Sequence, residues 1–181
     1  GLCELLVPRF AATADKVLML YAKSANVDHL RDLRHDGHTV ACFTLSMPRT
    51  AQLLEPAAPS FEQRLDAASR CASWGYPVRF RLSPIVPHRG WRDEIDRSIA
   101  LMAKKVRPEL LTLWTLSMVE FDQLGTVVEL DTLDPDFVDD ERQSAHHMAG
   151  AKGAPFSDAR RAEIYEAVGE ALARHSPQTR M

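Results

Sequence analysis

Four short apolar runs, each followed by a segment with helical spacing or turn residues, constrain this chain more than any other feature. The runs are VLMLYA (17–22), TVACFTLS (39–46), VRFRLSPIV (78–86) and LLTLWTLSMV (110–119). Runs of this length and composition predict buried strands. The intervening segments predict helices. Val27, Leu30 and Leu33 stand at helical spacing over 27–33. Ser60 caps a helix with Gln63 completing a capping box; Leu65, Ala68 and Cys71 or Ala72 form its inner face, and Gly75 and Pro77 end it. Asp93 caps another, with Ile95, Ile99, Met102 and Val106 as one stripe. Ser157 caps the last, whose stripe is Ile164, Val168 and Ala171 or Leu172. The first residues read as the tail of a helix. The stretch broken by Pro48, Pro56 and Pro59 reads as irregular, 131–155 as loop, and the closing HSPQTRM as frayed.

Strand and helix thus alternate about four times, which predicts βα units, a parallel sheet and right-handed crossovers. Four units are half the eight of a closed barrel. The fold class expected is α/β, a partial (βα) barrel, in a single domain over 1–181 with no internal repeat. The sheet is either open or completed by residues outside the chain. Gly1 in place of an initiating Met fits a segment of a longer protein.

Composition narrows the function. A formal net charge of -3 excludes a generic basic nucleic-acid coat while leaving room for a local basic cleft. No apolar run approaches the length of a membrane span, and no basic flank with a following apolar stretch opens the chain. Cys3, Cys42 and Cys71 are odd in number and far apart, which argues against a disulfide framework and for a cytoplasmic setting. No CxxC, CxxxCxxC or HExxH pattern is present, so no metal site is expected. His29, His35 and His38 lack a carboxylate or cysteine at ligand spacing and read as solvated or capping groups; His146 and His147 are adjacent and cannot easily share one ion.

Barrels build their sites at strand ends. Lys23 follows the first strand, Thr44 and Ser46 close the second, and Ile85 closes the third, with His88, Arg89 and Trp91 just beyond. Trp91 suits either stacking on a ligand or anchoring the next helix. Arg79 and Arg81 alternate along the third strand and share one face. In the lumen they would meet phosphate or carboxylate; outside it they would pair with helix acids. Cys42 and Cys71 read as small core residues.

The order of motifs resembles the spore photoproduct lyase family of radical S-adenosylmethionine enzymes, over the second half of that fold. The carrying residues are AKSANVDHL (22–30), DGHTVACFTLS (36–46), LLEPAAPSFEQRLDAASRCASWGYPVRF (53–80) and SPIVPHRGW (83–91). The resemblance implies a half-open (βα)6-type barrel of which this chain is the C-terminal portion. It implies two cofactors, S-adenosylmethionine and a [4Fe-4S] cluster whose CxxxCxxC ligands are not in this chain. It also implies DNA bearing a thymine dimer as substrate, acted on through a 5'-deoxyadenosyl radical that abstracts hydrogen. Lys23 matches the family lysine for the methionine carboxylate of the cofactor, Thr44 falls where the family has a serine hydroxyl, and Ile85 matches a strand end packed on adenine; Ser46 is a further cofactor-binding candidate. Arg81, His88 and Trp91 are the candidate substrate-binding residues. The alternative is a truncated or degenerate homologue kept as a non-catalytic binding module. Exposed sheet edges leave homo-oligomer formation open.

Overall fold

The structure is a computed structural model that describes residues 1–116, 121–126, 128–139 and 156–181. Its centre is a parallel sheet of four strands in the order β1-β2-β3-β4, with β1 at Leu18–Ala22, β2 at Thr39–Leu45, β3 at Val78–Ile85 and β4 at Leu111–Thr115. Each expected strand is present. The 117–119 end of the fourth lies outside the described residues. Sequential order in a parallel sheet means that every crossover returns the chain to the adjacent position, which is the winding of a barrel wall. The fold is the expected α/β half-barrel.

The helices are α1 (Leu2–Ala11), α2 (Pro48–Leu54), α3 (Phe61–Ser73), α4 (Trp91–Lys105), the short α5 (Phe121–Leu124) and α6 (Asp158–His175). One core joins Leu65, Ala68 and Cys71 of α3, Ile95, Ile99 and Met102 of α4, and Ile164, Val168 and Leu172 of α6 to alternate residues of the strands. Those strand residues are Ala41, Phe43 and Leu45 of β2, Phe80 and Leu82 of β3, and Leu111 of β4. Because strand side chains alternate between faces, Tyr21, Cys42, Arg79, Arg81 and Trp114 stand on the face turned away from this core. Tyr21 and Trp114 are about half exposed there.

Local signals place several boundaries. Ser60 Oγ accepts from the Gln63 amide while the Gln63 side chain accepts from the Ser60 amide, so the capping box over α3 is complete. Gly75 has φ +86, the left-handed value that lets the chain leave α3 and enter β3 through Pro77. Ser157 Oγ accepts from the Arg160 amide and caps α6.

Five expectations are corrected. Residues 27–33 form only a single 3-10 turn at Asp28–Leu30, and the Leu30 carbonyl accepts a hydrogen bond from Tyr76 Oη at 2.8 Å. The proline-bounded segment is helical over Pro48–Leu54, because proline fits the first helical position where its missing N–H is no loss. Gly90, at φ +77, precedes α4, and Asp93 lies in its first turn with Glu94, where both carboxylates favour the helix dipole. The tail is ordered: Thr179 Oγ1 donates to Pro108 O at 3.0 Å and the Leu111 amide donates to Arg180 O at 2.8 Å, extending the sheet past β4. Of 131–155, a 3-10 turn spans Leu130–Thr132 and a helical turn 135–139; 140–155, with His146 and His147, lie outside the described residues.

Candidate functional site

β1 and β2 run parallel with Ala22 opposite Phe43, so the residues that follow them emerge at the same end of the sheet. Lys23 and Ser46 are the polar side chains at that end. Between them lies Glu55. Helix α2 starts at Pro48 and stops at Glu55, whose amide donates to Ala51 O at 2.9 Å and whose successor Pro56 cannot continue the helix. This delivers the Glu55 carboxylate to the rim.

Glu55 Oε1 accepts from Lys23 Nζ and from Ser46 Oγ at 2.6 Å. Glu55 Oε2 accepts from Arg64 Nη2 at 2.6 Å. Arg64 stands in the second turn of α3, its side chain 1% exposed, and uses its other nitrogens on the chain itself. Nη1 donates to Thr44 O and Nε to Pro59 O, both at 2.9 Å. One carboxylate thus joins the ends of β1 and β2 to α2 and α3. Burial alone would raise the Glu55 carboxyl pKa; the hydrogen bonds from Lys23, Ser46 and Arg64 outweigh it and hold the group below its ordinary value. Two cations and one carboxylate leave a net single positive charge at the rim. Of its members only Lys23 reaches solvent appreciably, at 44% side-chain exposure against 11% for Glu55.

The other sequence candidates fall in three places. Thr44 is 8% exposed and Ser46 fully enclosed, so Ser46 meets Glu55 rather than open space. Ile85 is 1% exposed and belongs to the core, and its carbonyl accepts from the Leu116 amide. His88 and Trp91 are buried. His88 Nε2 lies 3.4 Å from Thr50 Oγ1, and its Nδ1 makes no hydrogen bond among the described residues. Burial, aided by the Arg49 charge, pushes the His88 pKa down to about 4 against a weaker opposing pull from the Thr132 backbone, so the ring is neutral. Trp91 packs edge-on against Phe137 at 5.7 Å, the anchoring role of its two.

Arg81 lies on the sheet face away from the helices. Its guanidinium sits 4.6 Å from the Tyr21 ring centre and 5.7 Å from that of Trp114. To reach β1 from β3 it must cross β2, which explains why Cys42 and Thr44 are covered on that face. Its Nε has no hydrogen-bond partner among the described residues. Arg79, beside it, pairs with Glu109 at 3.1 Å. Among the described residues no group of three His, Cys, Asp or Glu side chains is placed to hold a metal ion. His35 and His38 instead bond the Trp74 and Lys16 carbonyls. Sequence reasoning missed Glu55 and Arg64. The signal available was an arginine beside Leu65 on the inner side of α3, a place where charge is kept only if paired.

A family model described as spore photoproduct lyase matches residues 5–179. Spore photoproduct lyase of Bacillus subtilis (strain 168) is 34% identical over 76 residues, 42% of this chain and 22% of that protein. Spore photoproduct lyase of Geobacillus sp. (strain Y412MC61) is 30% identical over 103 residues, 57% and 30% of the respective chains. A solved spore photoproduct lyase mutant with bound AdoMet and dinucleoside spore photoproduct superposes with a TM-score of 0.78 at 21% identity, covering 98% of this chain and 54% of that one. The chain therefore spans about half the length of the solved relative and less than a third of the curated ones.

Proposed function

The chain belongs to the spore photoproduct lyase family, and from that premise we propose that it supplies the cofactor- and substrate-facing strand ends of a radical S-adenosylmethionine enzyme acting on a thymine photolesion in DNA. In this reading residues 1–181 are one domain, the C-terminal portion of a longer barrel, working in the cytoplasm. Among the described residues no helix is long and apolar enough to cross a membrane.

The observation that carries the reading is the half-exposed Lys23 at a rim of net positive charge. That rim suits the carboxylate of S-adenosylmethionine, since an ammonium with two free donors is a compact point charge for such a group. Thr44 and Ser46 act from behind Lys23. Ile85 fixes the height of the third strand end against which adenine would lie. The [4Fe-4S] cluster does not fit this chain's own residues: the three cysteines do not gather, and burial raises the Cys42 pKa and pushes that of Cys71 up to about 11, where a thiolate ligand is disfavoured. Cluster and S-adenosylmethionine together supply the hydrogen-abstracting chemistry in this family; this chain's residues bind, orient and exclude water.

Arg81, between Tyr21 and Trp114, is the group that would meet the lesion, offering a guanidinium to phosphate and two ring faces to bases. His88 and Trp91 hold the loop beneath it. Three solved spore photoproduct lyase structures carry dinucleoside spore photoproduct, which supports DNA as the partner. The test is Lys23→Ala in the full-length protein. Affinity for S-adenosylmethionine by calorimetry is expected to fall about tenfold or more, the loss of one charge-assisted contact; unchanged affinity removes the role. Anaerobic reconstitution with iron and sulfide separates this reading from a non-catalytic module, which would take up no cluster.

A further inference from the structure

The rim holds a carboxylate that the proposed reading does not use. Glu55 cannot swing away: withdrawing it would leave Arg64, 1% exposed, with a guanidinium nitrogen unpaired in the interior. It is therefore a resident of the rim and not a stand-in for a ligand. Its Oε2 is anchored through Arg64 to Thr44 O of β2 and Pro59 O ahead of α3, leaving Oε1 to face Lys23 and Ser46. Ser46 has one hydroxyl proton. The Glu55 oxygen at 2.6 Å takes it in preference to the Ser83 carbonyl at 3.1 Å, so Ser46 braces the carboxylate from the enclosed side. Lys23 approaches the same oxygen from the solvent side.

We propose that Glu55 is a positioning residue for cofactor binding, fixing the Lys23 ammonium at the rim with Arg64 as its buried anchor. A free lysine on an exposed strand end samples many rotamers, and a ligand must then stop that motion. With one donor committed to Glu55, the ammonium stands at a set place and presents its other two. The charge on Glu55 works in the same direction. S-adenosylmethionine bears a carboxylate, an ammonium and a sulfonium and is a net cation, so a rim that gains positive charge by losing Glu55 becomes a worse host for the whole molecule.

This inference rests on Lys23 meeting the cofactor, so the experiment separates the two. S-adenosylmethionine is titrated calorimetrically into the full-length protein and its Lys23→Met, Glu55→Gln and doubly substituted forms. Glu55→Gln is expected to weaken binding about fivefold, the effect of releasing one long side chain, and to change it less than twofold once Lys23 is Met. Glu55→Asp, which keeps the charge, recovers part of the loss. An unchanged affinity in Lys23→Met overturns the underlying reading. A weakened Lys23→Met with an unaffected Glu55→Gln, or a Glu55→Gln effect of equal size in both backgrounds, overturns the inference alone. If Glu55→Gln does not fold, Glu55→Asp with and without Lys23→Met carries the same comparison, with a Lys23-dependent loss supporting the proposal and a Lys23-independent one ending it.

Discussion

Replacing Arg64 by Met removes the guanidinium while filling most of its volume, so a packing void contributes little to the outcome. Three hydrogen bonds go with it: to Glu55 Oε2, to Thr44 O and to Pro59 O. Both carbonyls lose their Arg64 donor beneath the end of β2, and the carboxylate loses the partner that offsets its burial. Removing one member of a buried ion pair costs about 3–5 kcal/mol, and no more than that is expected here because Lys23 and Ser46 still hold Oε1. For a domain of this length, each kcal/mol shifts the melting temperature by about 2–4 °C, so the variant should melt roughly 6–20 °C lower. Urea unfolding followed by far-ultraviolet circular dichroism gives the free energy, and an unchanged slope confirms that the unfolded state is the same. Adding Glu55→Gln to Arg64→Met should restore about 1–2 kcal/mol, since the carboxylate whose Oε2 lost its donor goes while the orphaned carbonyls stay. A loss under about 1 kcal/mol in Arg64→Met would refute the view that this pair ties the rim together.

Two further outcomes follow from single residues. His88 has its folded pKa pushed down to about 4 from 6.5, so between those values the unfolded chain takes a proton that the folded chain refuses. Stability from this residue is complete above pH 6.5 and is lost as the pH falls toward 4, by up to about 3 kcal/mol; urea midpoints measured across that window should flatten in His88→Gln, and an identical slope in both proteins rules the residue out as the cause. Gly75→Ala keeps ordinary contact with His35 at 3.7 Å but must hold φ +86, so a loss of about 1 kcal/mol is expected from strain alone, and an equal or higher melting temperature contradicts it.

What the sequence disclosed is mostly what neighbouring residues decide among themselves. The α3 capping box needs only Ser60 and Gln63, and the end of that helix only Gly75 and Pro77, so both were readable in place. The stripe Ile95, Ile99, Met102 and Val106 is buried as its spacing requires. Where the outcome depended on distant partners, the sequence was silent or misleading. Nothing near Arg180 announces that its carbonyl takes the Leu111 amide. A 27–33 helix was suggested by spacing, yet a few residues beyond one turn bring too little cooperative gain. Lys23 could be placed at a strand end from its position, but its partner Glu55 is brought to it by an unforeseen helix between two prolines. The face chosen by Arg79 and Arg81 was open in the sequence because alternation alone fixes only that they agree. The core residues Phe80 and Leu82 between and beside them settle it.

That choice of face has an electrostatic consequence. The chain as a whole carries a net charge of -3, and eight of its described arginines are spent on pairs with acids, as Arg92 is with Glu163 and Arg174 with Asp96. Lys23 follows the end of β1, and Arg81 lies over the Tyr21 ring on the sheet face away from the helices. The rim charge is reduced but not cancelled by Glu55, and among the described residues Arg81 is met by two rings and by no carboxylate. Arg81 and the Lys23 rim thus place cationic groups at the sheet in a chain of net negative charge. Attraction of an anionic ligand must then be local and short in range, screened over a Debye length of about 8 Å at physiological salt. Among the described residues, the sheet face away from the helices offers a guanidinium between two ring surfaces, Arg81 with Tyr21 and Trp114.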